Sequence, residues 1–281
     1  MSIKDITVVI TTFKSSEKIN HCLNSIDKQC QVIVIENSND LEFKTRIERD
    51  FSNVKCILTG KNLGYGTANN IGLNKVQTRY ALILNPDAIL DSFALKNFFN
   101  EIKSVPDFAI MGPSIQEEKD EIKKIDIQDS SLVKVSNIKG FAMFLNLPKF
   151  KDIGFFDESF FIYFEEIDLC KRLVENHKKI YLAPSITIDH KGGESHDKSI
   201  NKAIELSRNW HWMWSTFYYH KKYKGFFISL LIIFPKLVSS IFRVLFYSLV
   251  LNTDKKEIYY HRYLGLINAI TGKSSWYRPR V

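Results

Sequence analysis

Short β-branched and aliphatic runs recur along the first half of the chain, at Ile6–Thr11, Gln31–Glu36, Val54–Leu58, Tyr80–Leu84 and Phe108–Met111, with apolar positions at helical spacing between them. This βαβ alternation predicts an α/β fold: a mainly parallel sheet flanked by helices on both faces, right-handed crossovers, and ligands gathered at the carboxyl ends of the strands. Ser15 or Ser16 is expected to open a helix after the first strand, and Asp91 or Ser92 another after the fourth. The polar run 115–131 breaks the alternation and reads as a mobile surface loop or hairpin. Beyond it, Lys139–Asn146 reads as a strand and Glu165–His177 as a helix with Leu169, Leu173 and Val174 facing inward. Ile180–Leu182 and Ile186–His190 read as two short extended segments.

The last third changes character. From Phe226 to Leu251 the chain is strongly apolar, and 26 helical residues would extend about 39 Å, long enough to cross a bilayer. Pro235 interrupts the run, and Lys236 and Arg243 lie near its middle, where each charge costs roughly 2.5 to 3.5 kcal/mol on insertion. Lys236, Ser239, Ser240 and Arg243 fall at helical spacing and form one polar stripe on an apolar rod, which suits a helix lying in the membrane interface. The Trp, Tyr and Lys side chains of Asn209–Lys224 favour the headgroup zone. The alternative is an ordinary core helix packed on a partner subunit or on the rest of the chain.

Composition narrows the choices. With 281 residues and 45% hydrophobic content, the chain can bury a sizeable core and is long enough for one large domain plus an appendage. Cys22, Cys30, Cys56 and Cys170 show no metal-ligand spacing, and no apolar leader follows Met1, so a reducing cytoplasmic location with buried thiols is expected. The net charge of +8 is unevenly spread: residues 201–281 carry 13 Lys/Arg against 3 Asp/Glu, whereas residues 1–200 are slightly acidic. The basic tail suits anionic lipid better than nucleic acid, because no nucleic-acid module accompanies it and the apolar run would have no role there.

Candidate chemistry begins at Leu82–Ala88, where an apolar strand ends in Asn85-Pro86-Asp87. Asn-Pro-Asp is good turn chemistry, yet a carboxylate at a strand's carboxyl end also sits where open α/β sheets bind ligands. The acids Glu165, Glu166 and Asp168 crowd one helix start, where they would at least complement the helix dipole. His190 is followed by Gly192 and Gly193, which permit close backbone approach.

Taken in order, Val8–Ser15 (VVITTFKS), Val32–Asp40 (VIVIENSND), Asn62–Gly72 (NLGYGTANNIG), the NPDA segment, Gly154–Leu173 and His190–Ser195 (HKGGES) resemble the motifs of a family 2 glycosyltransferase of the GT-A fold, in its bacterial rhamnosyltransferase-like branch. The resemblance covers roughly residues 5–196. It implies a GT-A catalytic domain over 1–198 and leaves 199–281 as a helical, basic, membrane-associating extension. It further implies a nucleotide diphosphate sugar donor contacted by Thr11, Phe13, Glu36, Asn37, Asn62, Gly64 and Asn85, and a divalent cation, Mg²⁺ or Mn²⁺, held by Asp87 and His190. Glu166 is implied as general base of an inverting transfer, with Glu165 beside it and Asp168 in reserve. Glu36 and Glu166 both stand where the family usually has aspartate. The activity so implied is transfer of a sugar, rhamnose from dTDP-rhamnose foremost, to a lipid-linked glycan or polysaccharide at the cytoplasmic membrane face, with peripheral or monotopic attachment. A catalytically impaired, nucleotide-sugar-binding membrane scaffold is the alternative. A nucleotidyltransferase would need a basic glycine-rich loop that TTFKS lacks, and Gly64-x-Gly66 lacks the third glycine of a dinucleotide fingerprint.

Overall fold

The computed structural model describes residues 2–16, 18–115, 132–190 and 200–279. Of the loop expected over 115–131, residue 115 ends a strand and 116–131 lie outside the described residues, as do the positions Gly192, Gly193 and Ser195. The chain divides into two compact units, Met1–Phe156 with Glu166–Asp197, and Asp157–Glu165 with Lys198–Val281.

The first unit holds one sheet. Its strands are β1 (Ile6–Thr12), β2 (Gln31–Glu36), β3 (Val54–Leu58), β4 (Tyr80–Leu84), β5 (Ala88–Leu90), β6 (Phe108–Ile115), β7 (Val133–Val135), β8 (Ala142–Asn146) and β9 (Lys179–His190). They run in the order β3-β2-β1-β4-β8-β6-β9-β5, with β7 added on β9. The β3-β2-β1-β4 half is parallel, as the βαβ pattern predicts. The other half is mixed, because β8 enters antiparallel to both β4 and β6 while β6 and β9 run parallel. Aromatic stacking locks β8 in place: Phe144 lies 4.6 Å from Phe98 and 5.5 Å from Tyr80, ring centre to ring centre. Strands β1 and β4 are buried on both faces, which is why they read as continuous apolar runs: Val8 and Leu82 join one core, Val9 and Ile83 another.

Helices α1 (Ile19–Ser25), α2 (Leu41–Asp50), α3 (Tyr65–Leu73), α4 (Ala94–Ser104) and α5 (Glu165–Glu175) link these strands. Gly72 lets α3 lie directly on the sheet, since a Cβ there would come within 2.5 Å of Val9 Cγ1. Several expectations are corrected. The helix after β1 starts at Ile19 rather than at Ser15 or Ser16, because the Ser15 hydroxyl exchanges hydrogen bonds with the Phe13 backbone inside the turn. Asp91 accepts from Phe93 N at 2.8 Å in the turn before α4, which itself begins at Ala94. Val174 is 42% exposed, and Cys170 fills the inward position beside Leu169 and Leu173. The two extended segments near the end of the unit are one strand, β9, in which Ser114 Oγ donates to the carbonyls of Pro184 and Ile186 where the register with β6 slips.

The second unit is helical: α6 (Asn201–Lys224), α7 (Phe226–Leu249) and α8 (Thr253–Ile270). Trp210, Met213, Trp214 and Phe217 of α6 pack with Ile233 of α7 and with Leu266 and Ala269 of α8. The segment Asp157–Glu165 belongs here, unlike a single division at residue 198. Ser215 Oγ donates to Ile162 O at 3.0 Å, Ser275 Oγ to Ser159 O at 2.7 Å, and Lys222 pairs with Asp157 at 2.7 Å. Burial pushes the His211 imidazole down to about 3, so it is neutral where its Nε2 meets Tyr277 O at 2.7 Å.

Helix α7 turns Ser229, Ile233 and Ser240 inward and leaves Phe227, Leu231, Phe234, Val238, Phe242, Leu245 and Leu249 exposed. The expected polar stripe is therefore split. Lys236, Ser239 and Arg243 are exposed, whereas Ser240 is buried and donates to Lys236 O at 2.8 Å, a bond that lets a hydroxyl sit inside a helix pack. Helix α8 crosses α6 so closely at Gly265 that a Cβ would stand 2.2 Å from Trp210 O. Gly265→Ala should therefore push the helices apart and lower stability by about 1 to 3 kcal/mol; an unchanged thermal midpoint would contradict this.

Candidate active site

Helix and strand register bring together side chains that are remote in sequence. After β4 the chain turns through Asn85, Pro86 and Asp87 and enters β5, which pairs antiparallel with β9 so that Ala88 stands opposite His190. Asp87 Oδ1 consequently lies 3.3 Å from His190 Nε2, and Asn85 Nδ2 lies 3.3 Å from the same nitrogen. The Asp87 side chain is only 4% exposed. The Phe141 ring stacks on the imidazole at 4.6 Å, and Asn85 N donates to Phe141 O at 2.8 Å, so the imidazole plane and the turn are held together. One buried carboxylate oxygen and one imidazole nitrogen converging on a point suit a Mg²⁺ or Mn²⁺ ion whose other ligands are phosphate and water oxygens. Among the described residues no cluster of three or more His, Cys, Asp or Glu forms. Asp87 also opens on a cavity of about 230 Å³ lined by Lys18, His21 and Asp189.

The acids separate. Glu166 lines a second cavity, of about 300 Å³, together with Asn137, Lys139, Phe141 and Leu182, and burial raises its carboxyl above the usual range. Phe141 is shared: it walls this cavity and stacks on His190. Tyr65 OH donates to Gly140 O at 2.5 Å, and a Cβ on Gly140 would touch Glu166 Cβ at 3.5 Å, so the start of α3 is tied to the strand entry beside Glu166. Glu165, expected next to Glu166 in the catalytic set, is buried and is not among the residues that line the cavity, whereas Ile167 on the other side of Glu166 is. Asp168, the reserve base, is corrected outright. It is fully buried and bound to Arg172 Nε at 2.8 Å, and Arg172 donates onward to the carbonyls of Ile153 and Phe155. Through Arg172 that carboxylate fastens the loop of Ile153 and Phe155.

The residues expected at the nucleotide have two kinds of role. Thr11 at the end of β1 keeps a buried hydroxyl with no hydrogen-bond partner among the described residues, as a group awaiting a ligand would. Phe13 is half-buried in the following turn. Glu36 is different: its carboxylate accepts from Ser38 N, Ser38 Oγ and Asp40 N, so the longer side chain closes its own turn. Asn37 donates to Asn62 Oδ1 at 3.1 Å and Gly64 O at 3.2 Å and accepts from Leu63 N at 2.9 Å. Asn62 in turn accepts from Gly64 N. These side chains build the loop before α3. Phe141, Tyr65 and Lys139 are not foreseen from the sequence; the only signal is the glycine of Lys139-Gly140-Phe141 at the entry to a predicted strand.

The sequence pattern described as Glycosyl transferase family 2 matches residues 7–171. The low-salt glycan biosynthesis hexosyltransferase of Haloferax volcanii is 26% identical over 190 residues, which make up 60% of this chain and 61% of that protein, less than two thirds of its length. The rhamnosyltransferase WbbL of Escherichia coli K12 is 26% identical over 235 residues, 72% of this chain and 86% of the relative. Among solved structures, the mannosyltransferase PcManGT of Pyrobaculum calidifontis, in complex with GDP-Man and Mn²⁺, superposes with a TM-score of 0.60 at 11% identity, over 95% of this chain and 87% of that one. At that identity the likeness speaks for the fold.

Replacing Asp168 by Asn strands the Arg172 charge in its loop, and the expected loss is roughly 3 kcal/mol of unfolding free energy. Urea titration of the variant checks this, and an unshifted midpoint would remove the bridging role.

Proposed function

The chain belongs to glycosyl transferase family 2, and from that premise we propose that it moves a sugar from a nucleotide diphosphate sugar to an acceptor hydroxyl with inversion, serving a lipid-linked or polysaccharide acceptor in cell-surface glycan synthesis. Rhamnose from dTDP-rhamnose is the donor we favour, because WbbL, similar over most of its length, is named a rhamnosyltransferase. The observation that carries the reading is the shared wall: Phe141 stacks on His190 and lines the cavity of Glu166. A cation-bound diphosphate at Asp87 and His190 and an acceptor beside Glu166 would then be neighbours.

In this reading Glu166 takes the proton of the acceptor hydroxyl as that oxygen attacks the anomeric carbon opposite the departing diphosphate. Burial of its carboxyl raises the pKa and makes it a stronger base. Asp87 and His190 would hold the divalent ion, which when bound would offset the charge growing on the diphosphate. PcManGT, with GDP-Man and Mn²⁺ bound on the same fold, supports both the donor class and the ion. Thr11 and the loop shaped by Asn37 and Asn62 would meet the nucleoside, and Asn85 would orient His190 toward the phosphates.

We assign residues 1–198 to catalysis and 199–281 to attachment at the cytoplasmic membrane face. The outward face of α7 supports that placement: Phe227 is 81% exposed and its neighbours on that face are equally apolar, while Lys221, Lys224, Lys255 and Lys256 supply positive charge. A long apolar helix with charged residues along its flank favours lying in the interface over crossing it.

Turnover with a panel of nucleotide sugars tests the reaction, and chelation should abolish it; transfer that survives chelation would remove Asp87 and His190 from their roles, and donor binding without transfer would favour the scaffold alternative. Glu166→Gln should lower kcat by roughly 10² to 10⁴. Because the base works deprotonated and its pKa is raised, the wild-type kcat should fall on acidification at a pH above the ordinary carboxylate range. Sedimentation with anionic vesicles should weaken when Phe227 and Leu231 are both changed to Ser, and unaltered binding would exclude this face as the anchor.

A further inference from the structure

Helix α6 carries a second feature that the transfer chemistry leaves unused. Trp212, Tyr219 and Tyr223 lie at i, i+7 and i+11, within one narrow stripe of the helix, and span about 17 Å along its axis. Trp212 is 43% exposed, although His211, Met213 and Trp214 around it are buried. The rings form a chain: Tyr163 meets Trp212 edge-on at 5.2 Å, Phe164 lies 5.5 Å from Trp212 and 5.2 Å from Tyr219, and Tyr219 lies 5.0 Å from Tyr223. All belong to the second unit.

The chain ends in two informative places. Tyr163 and Phe164 immediately precede Glu165 and Glu166, and both hold left-handed backbone angles, φ +72° and +71°, which bulky residues adopt only when their surroundings impose it. Strain in two successive aromatic residues beside an acid pair marks a place where ring position matters more than local stability. At the other end, Tyr223 is followed within three residues by Phe226 and the exposed apolar face of α7. The stripe therefore leads from Tyr163 and Phe164 to the proposed lipid-facing helix.

Such a surface matches one kind of occupant. A pyranose has a C–H face that packs on an aromatic ring and a rim of hydroxyls that stays hydrated, and Tyr and Trp combine an apolar face with a polar handle in the same way. Arg208, one turn before Trp212 and near enough to act on the Tyr163 hydroxyl, adds a donor at the acid end. A bare hydrocarbon tail would gain nothing from those polar edges. We propose that Tyr163, Phe164, Trp212, Tyr219 and Tyr223 form an acceptor track on which the sugar rings of a lipid-linked glycan stack, its sugar end at Tyr163 and Phe164 and its lipid end toward α7. This rests on the transferase reading and extends it by naming the acceptor's subsite.

The test uses the full chain and two measurements: binding of a panel of octyl disaccharides, followed by ligand-observed NMR without donor, and steady-state transfer to whichever of them is accepted. Trp212→Ala should raise the disaccharide Kd, and the acceptor KM, about tenfold while the donor KM holds. Trp212→Tyr, which keeps a ring, should recover most of the loss and so exclude misfolding as its cause. Disaccharide affinity unchanged by Trp212→Ala, wild-type protein that binds none of the panel, or a defect confined to vesicle binding would each overturn the track. Wild-type binding that is sensitive to Trp212 but unaccompanied by turnover would leave the track standing and refute the transferase reading instead.

Discussion

The antiparallel pairing of β5 with β9 is the constraint on which the candidate site depends. It sets Ala88 against His190, and that one register places a carboxylate from the end of β4 within 3.3 Å of an imidazole from the far end of the unit. A slip of one residue would turn His190 to the other face of the strand and dissolve the pair. The turn Asn85-Pro86-Asp87 and the stacking of Phe141 hold the arrangement from two further directions. The metal-binding role proposed for Asp87 and His190 inherits its precision from sheet hydrogen bonds rather than from flexible loops.

Around that pair, polar groups divide into those that build and those that remain to act. Glu36, Asn37, Asn62 and Asp168 are all engaged by neighbouring backbone or side chains and shape the loops that surround the site. Thr11 and Glu166 are placed differently, the first with a buried hydroxyl that has no partner among the described residues and the second in a cavity whose burial raises its pKa. Buried polar groups are normally satisfied, so such a division is itself informative about where ligands go. The Glu36 carboxylate has such a building role, since it reaches Ser38 and Asp40 and closes the turn.

The helical unit shows a different balance. Its interior is sealed by Trp210, Trp214, Phe217 and Leu266, and it takes in the segment Asp157–Glu165 as well. Yet α7 turns serines inward and phenylalanines and leucines outward, the reverse of a helix made to face water on its free side. Large contiguous apolar surface calls for an apolar neighbour, and the basic residues around it fit an anionic membrane.

Much of this was legible in the amino-acid order alone. Strands β1 to β4 and the parallel half of the sheet follow from short apolar runs, because strands buried on both faces leave a continuous signal. Asp87, His190 and Glu166 stood out because their motifs occur in a fixed order, and the apolar stretch of α7 because its composition has few readings. Periodicity could not tell which acid of Glu165, Glu166 and Asp168 faces open space, since all three share one helix start and only the neighbours of each decide. Nor could it show that Ser240 is buried, that Glu36 spends its carboxylate on its own turn, or that Phe141 stands between the imidazole and the acid. Local sequence specifies which way a residue can point along its own element; what it meets there is set by elements brought together from distant parts of the chain, and that is decided only when the whole sheet and its helices have packed.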